Sequence, residues 1–105
     1  MPNKKESLEA ISQRLMWAQK ALHFPTQTAF SAAIPGMTPQ KWNNYLSCRD
    51  LIPVDVALVL CQRFRLSLDY IYRAEKDALP LNLVRKLELA EAGKPVDSDP
   101  KPRRS

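Results

Sequence analysis

The chain has 105 residues, with 16 Lys and Arg against 11 Asp and Glu, one His, two Cys and two Gly, for a formal net charge of +5. That length suits one small core rather than two, and 45% hydrophobic with 26% charged residues is the balance of a folded globular chain. No apolar run nears the roughly 20 residues of a membrane span, no apolar stretch follows the basic start as in a secretory leader, and two cysteines cannot build a disulfide framework. The expectation is a cytoplasmic protein with reduced thiols.

The hydrophobic period is helical throughout. Ile11, Leu15, Ala18 and Leu22 recur on one face of a helix expected from about Ser7 to His23, with Asn3 and Glu6, or Ser7, at its start. Pro25 ends that element or begins the next. Thr26 is a natural N-cap for a short segment reaching Ile34, which Pro35-Gly36 breaks. Thr38-Pro39 then opens a helix to about Leu46 or Ser47, with Thr at the N-cap and Pro at the first helical position. Pro53 opens another, whose expected buried stripe is Val54, Ala57, Leu58, Cys61 and Phe64. Ser67 caps a turn from Leu68 to Tyr72. Leu79-Pro80 opens a last helix to about Ala92, where Gly93 supplies the stop. The prediction is an all-α fold of five or six short helices.

The charge is unevenly placed. From Ala10 to Arg49 there is no carboxylate, only Arg14, Lys20, Lys41 and Arg49 with His23, so this window carries most of the +5. Residues 50–105 hold ten bases and nine acids. A carboxylate-free stretch is what a phosphate-facing surface requires, because a misplaced carboxylate repels the backbone it approaches.

Two short helices around a Pro-Gly turn have the layout of a helix-turn-helix. On a wheel of about 100° per residue, Tyr45 and Leu46 share the side of Trp42. Gln40, Asn44 and Ser47 lie opposite, with Lys41 and Asn43 on the flanks. One face is aromatic and apolar. The other offers amides, an ammonium and a hydroxyl, the groups that read base edges and phosphates in a major groove.

Thr26-Gln27-Thr28-Ala29-Phe30-Ser31, Ile34-Pro35-Gly36-Met37-Thr38, Trp42-Asn43-Asn44-Tyr45, Pro53 and Leu66-Ser67-Leu68-Asp69-Tyr70-Ile71-Tyr72 follow in order. Over residues 11–73 the chain thereby resembles the Cro/repressor (XRE-type) DNA-binding domains of bacteria and phages, especially those with a Trp-Asn-Asn-Tyr recognition helix. The resemblance implies a lambda-repressor-like five-helix domain that binds double-stranded operator DNA as a homodimer. It implies that Gln27 contacts phosphate, that Thr38, Gln40, Lys41, Asn43 and Asn44 face the groove, and that Arg49 touches backbone from the following loop. Trp42 and Tyr45 match core positions. The sequence departs from the pattern in three places. One extra residue, Pro35, lies between Gln27 and Gly36; Ser31 replaces a usual Ala; and Leu46-Ser47-Cys48 replaces the common Glu-x-Gly, losing a glycine suited to left-handed backbone.

The division expected is a DNA-binding domain over residues 1–75, a dimerisation or docking helix over 76–93, and a disordered tail over 94–105, whose bases Lys101, Arg103 and Arg104 serve mainly to solvate it. In the last helix Leu83, Leu87 and Ala90 form one stripe, flanked by Leu81 and Val84 on one side and Leu89 on the other. That coverage exceeds what one packed face needs, so one side is expected to dock on the domain and another to meet a second subunit, with Leu81, Leu83, Val84 and Leu87 as the interface residues. Cys48, Cys61 and His23 complete no metal or redox site, and no cofactor, metal or membrane partner is expected. No phosphate loop or nucleophile–base pair suggests an enzyme. A transcriptional regulator is the leading expectation; the alternative is a protein-interaction module, such as an antitoxin or accessory factor, with weak DNA binding.

Overall fold

A computed structural model describes residues 7–96. Six helices follow one another, α1 Leu8–Ala21, α2 Gln27–Ala32, α3 Pro39–Leu46, α4 Val54–Phe64, α5 Leu68–Arg73 and α6 Leu81–Glu91, with no strand among the described residues. The fold is all-α.

Four helices begin where a hydroxyl can take up a free N–H. The side chains of Ser7, Thr26, Thr38 and Ser67 accept from the amides of Ala10, Ala29, Lys41 and Tyr70 at 3.0–3.1 Å. Pro53 and Pro80 precede α4 and α6 without a side-chain cap. Glycine ends α6, since Gly93 has φ +74° and follows the cap residue Ala92.

α1 is the central element. It packs on α3, α5 and α6, while α2 packs on α3 and α4 on α5. Ile11, Leu15, Ala18 and Ala21 supply its buried stripe. An aromatic cluster fills the space beside it. Phe30 stacks edge-on to Trp42 with ring centres 4.7 Å apart, and meets Phe24 at 4.8 Å and Phe64 at 5.2 Å. Such pairs add about 0.5–1.5 kcal/mol each beyond their burial.

Three sequence expectations need correction. In α4 the fully buried residues are Ala57 and Leu60, while Val54 and Leu58 are 55% and 43% exposed. Leu83 and Leu87 face the chain's own core, at 6% and 0% exposure, so they are not open to a second subunit. They dock α6 along α1 together with Ala90; Val84 packs against the same core, and Leu81 alone of the four expected interface residues is exposed. The segment after Gly93 also remains packed at first: the Lys94 amide donates to the Leu89 carbonyl and Val96 is buried. The rest of the expected tail, with Lys101, Arg103 and Arg104, lies outside the described residues, as do Asn3 and Glu6. A Lys76–Glu91 salt bridge of 3.0 Å closes α6 onto the loop after α5. Among the described residues no helix is long and apolar enough to cross a membrane.

Candidate nucleic-acid interface

α2 and α3 are joined by residues 33–38, where the Met37 amide donates to the Ile34 carbonyl at 3.1 Å around Pro35 and Gly36. Proline at the second position and a glycine at φ +75° at the third are the pattern of a type II turn, in which only glycine takes that backbone without strain. The extra residue Pro35 is thus absorbed in a regular turn and stands exposed.

Two side chains of α1 fix the orientation of α3. The Trp42 indole Nε1 donates to Gln19 Oε1 at 2.9 Å, both buried, and the Ser12 hydroxyl donates to the Tyr45 carbonyl at 2.6 Å. Trp42 is fully buried and Tyr45 nearly so, as their helical spacing predicts. Ser12 and Gln19 belong to no motif of the sequence. Their signal was present, however: they lie seven residues apart, on the flank of an apolar stripe where a polar residue calls for a partner.

With the aromatic side anchored, the polar side of α3 faces out. Gln40 and Lys41 are exposed, Asn43 and Asn44 are half-buried, and Thr38 is exposed with its hydroxyl engaged as the N-cap. Gln40 Nε2 donates to Asn44 Oδ1 at 3.2 Å, one helical turn on, so the two amides form a unit. Gln27, at the first position of α2, is half-buried, and Arg49 is exposed in the loop after α3. That loop is held by the Asn44 carbonyl, which accepts from the amides of Arg49 at 3.0 Å and Asp50 at 3.1 Å. Cys48, between them, takes the left-handed conformation at φ 66°.

The electrostatics differ from the sequence expectation in two respects. Arg14 is buried, and its Nε donates to the Ile71 carbonyl at 2.9 Å, so it belongs to the core and not to a phosphate-facing surface. Burial pulls its guanidinium below the ordinary value, opposed by Tyr70 and Glu91. The carboxylate-free window, moreover, does not make a carboxylate-free surface. Asp55 joins Lys41, Met37, Tyr45 and Val59 around a cleft of about 260 Å³ between α3 and α4. The Tyr45 hydroxyl is pushed up by burial first, and then by Asp50 and Asp55. Tyr72 behind it, whose hydroxyl donates to the Ile52 carbonyl at 2.7 Å, is raised chiefly by burial as well. Lys41 thus shares its cleft with Asp55, and Arg49 is followed in the same exposed loop by Asp50.

Cys61 is partly buried against the core, which raises its thiol pKa, and Cys48 is half-buried; both are free. No known protein family, curated protein or solved structure matches the chain.

Proposed function

We propose that this chain is a sequence-specific double-stranded-DNA-binding transcriptional regulator that acts as a homodimer, with α2 and α3 as a helix-turn-helix and α3 as its reading helix. The observation that carries the proposal is the two-sided build of α3. Its aromatic side is locked to α1 through Trp42 and Tyr45, while Gln40, Lys41 and Asn44 stand on the outward side.

The amide pair supplies a reading mechanism. Once Gln40 Nε2 donates to Asn44 Oδ1, the Gln40 carbonyl oxygen and the Asn44 amide nitrogen remain to face a base. One acceptor and one donor side by side complement the N6 donor and N7 acceptor of adenine in the major groove. Lys41 and Arg49 then contact phosphates, and Gln27 joins them from the start of α2, setting the register without specifying sequence. Two copies place their α3 helices in successive major grooves, about 34 Å apart, on a near-palindromic site.

Selection of binding sites from a random double-stranded library, followed by titration of the selected site, tests this reading. Gln40→Ala and Asn44→Ala should each weaken the selected site by roughly 1–3 kcal/mol and relax preference at one position in each half-site. No enrichment from the library, or unchanged affinity in both variants, would sink the proposal.

A further inference from the structure

We infer that the cleft where α1 and α4 end and α6 begins is a binding site for a compact amphipathic carboxylate. The charged head meets Arg65 and Lys86, and the apolar body rests on Leu22, Phe64 and Leu83. The cleft holds about 210 Å³. Leu83 is buried and Leu22 and Phe64 are half-buried, so they form its floor. His23, Arg65 and Asn82 stand exposed at its rim, with Lys86 half-buried beside them. Asn82 and Lys86, one turn apart on α6, share a side with Leu83. The Phe64 ring is held by Phe30 and Phe24, with ring centres 5.2 Å and 5.8 Å away.

The charge in this cleft is of one sign. No carboxylate among the described residues lines it, and among those residues no salt bridge or side-chain hydrogen bond engages His23, Arg65 or Lys86. The carbonyls of Ala18, Gln19 and Lys20 in α1, and of Cys61 in α4, accept from the chain's own amides. Donors therefore dominate the rim. Other clefts mix their signs: one sets Lys41 beside Asp55, and another sets Arg85 and Lys94 beside Glu88. The floor then decides between ligands. A bare phosphate would meet the cations but leave Leu22 and Phe64 wet, and a neutral apolar molecule would cover the floor but bring nothing to the cations. Volume bounds the ligand, since an apolar cavity of about 150 Å³ takes up benzene. This cleft admits a single ring, or a chain of about six carbons, with its carboxylate at the rim.

Heteronuclear NMR of the isotope-labelled full chain, titrated without DNA, tests the inference apart from base reading. Benzoate or hexanoate should give saturable shifts at the amides of Arg65, Asn82, Leu83 and Lys86. Benzyl alcohol keeps the ring without the charge, and acetate and inorganic phosphate keep the charge without the body. Each of the three should bind at least about tenfold more weakly than the tighter of the two carboxylates. Asn82→Glu sets a carboxylate at the rim, where the start of a helix favours one, so folding is not endangered. It should weaken carboxylate binding at least about tenfold, with unchanged helical circular dichroism, as should Arg65→Gln with Lys86→Gln. Saturation by neither benzoate nor hexanoate overturns the inference, as does wild-type affinity in both variants. Phosphate or acetate binding as tightly as the carboxylates would make this a plain anion site, of the kind a DNA backbone could use. Benzyl alcohol binding as tightly would make it a plain apolar one, and either result overturns the inference too.

Discussion

Cys48 shows how one residue can set the exit of a helix, here α3. The chain leaves α3 through the cap residue Ser47, and Cys48 then takes φ 66° so that the Arg49 amide can turn back to the Asn44 carbonyl. A left-handed residue with a Cβ costs roughly 1–2 kcal/mol relative to one without. Part of that returns when glycine is substituted, because glycine loosens the unfolded chain. Cys48→Gly should therefore raise stability by about 0.5–1 kcal/mol, whereas Cys48→Val, branched at Cβ, should lower it. Urea unfolding with an unchanged m-value reads both. A less stable Cys48→Gly would mean that the thiol's packing outweighs the backbone strain. The sequence points to this position because the pattern it resembles carries glycine there. It does not show how the chain copes, since the conformation is imposed by hydrogen bonds closing around it.

At the scale of elements, helix starts were legible and helix faces only partly so. Ser7, Thr26, Thr38 and Ser67 act within three residues of themselves, and each caps the helix expected from it. The buried side of α4 is a different matter. Val54, Val56, Ala57, Leu58, Val59, Leu60 and Cys61 make it apolar nearly all round, so periodicity alone does not fix which stripe turns inward. Packing on α5 decides for Ala57 and Leu60 and leaves Val54 and Leu58 outside. In α6 the sequence predicts one side docked and another, with Leu83 and Leu87, at a second subunit; the docked side takes those two leucines itself, and of the four interface candidates only Leu81 stays exposed. Leu87→Ala should accordingly cost about 2–5 kcal/mol of folding stability, as a fully buried leucine does. Leu81→Ala should stay within about 0.5 kcal/mol of the wild type. Thermal or denaturant unfolding of the two variants separates a core role from a surface role. Equal effects would contradict the docking of α6.

At the scale of the whole molecule, folding redistributes the charge that the sequence lays out in a line. Arg14 leaves the carboxylate-free window for the core, while Asp50 and Asp55, which follow that window in sequence, come up beside Tyr45. Within that window Lys41 and Arg49 stay exposed, with Lys20 at the end of α1, and on the proposed reading they form a small cationic margin for phosphate. Salt dependence measures that margin directly, since each neutralised phosphate contributes about 0.9 to the slope of log affinity against log salt. In a dimer Arg49 counts twice, so Arg49→Ala should flatten the slope by roughly 1.8 and weaken selected and unrelated DNA alike. Arg14→Met should leave the slope unchanged. It should instead lower folding stability by about 1–3 kcal/mol, because the buried Ile71 carbonyl loses its donor. If Arg14→Met flattened the slope as much as Arg49→Ala, the window would act as the sequence lays it out, and the separation of core cation from surface cation argued from the fold would be wrong.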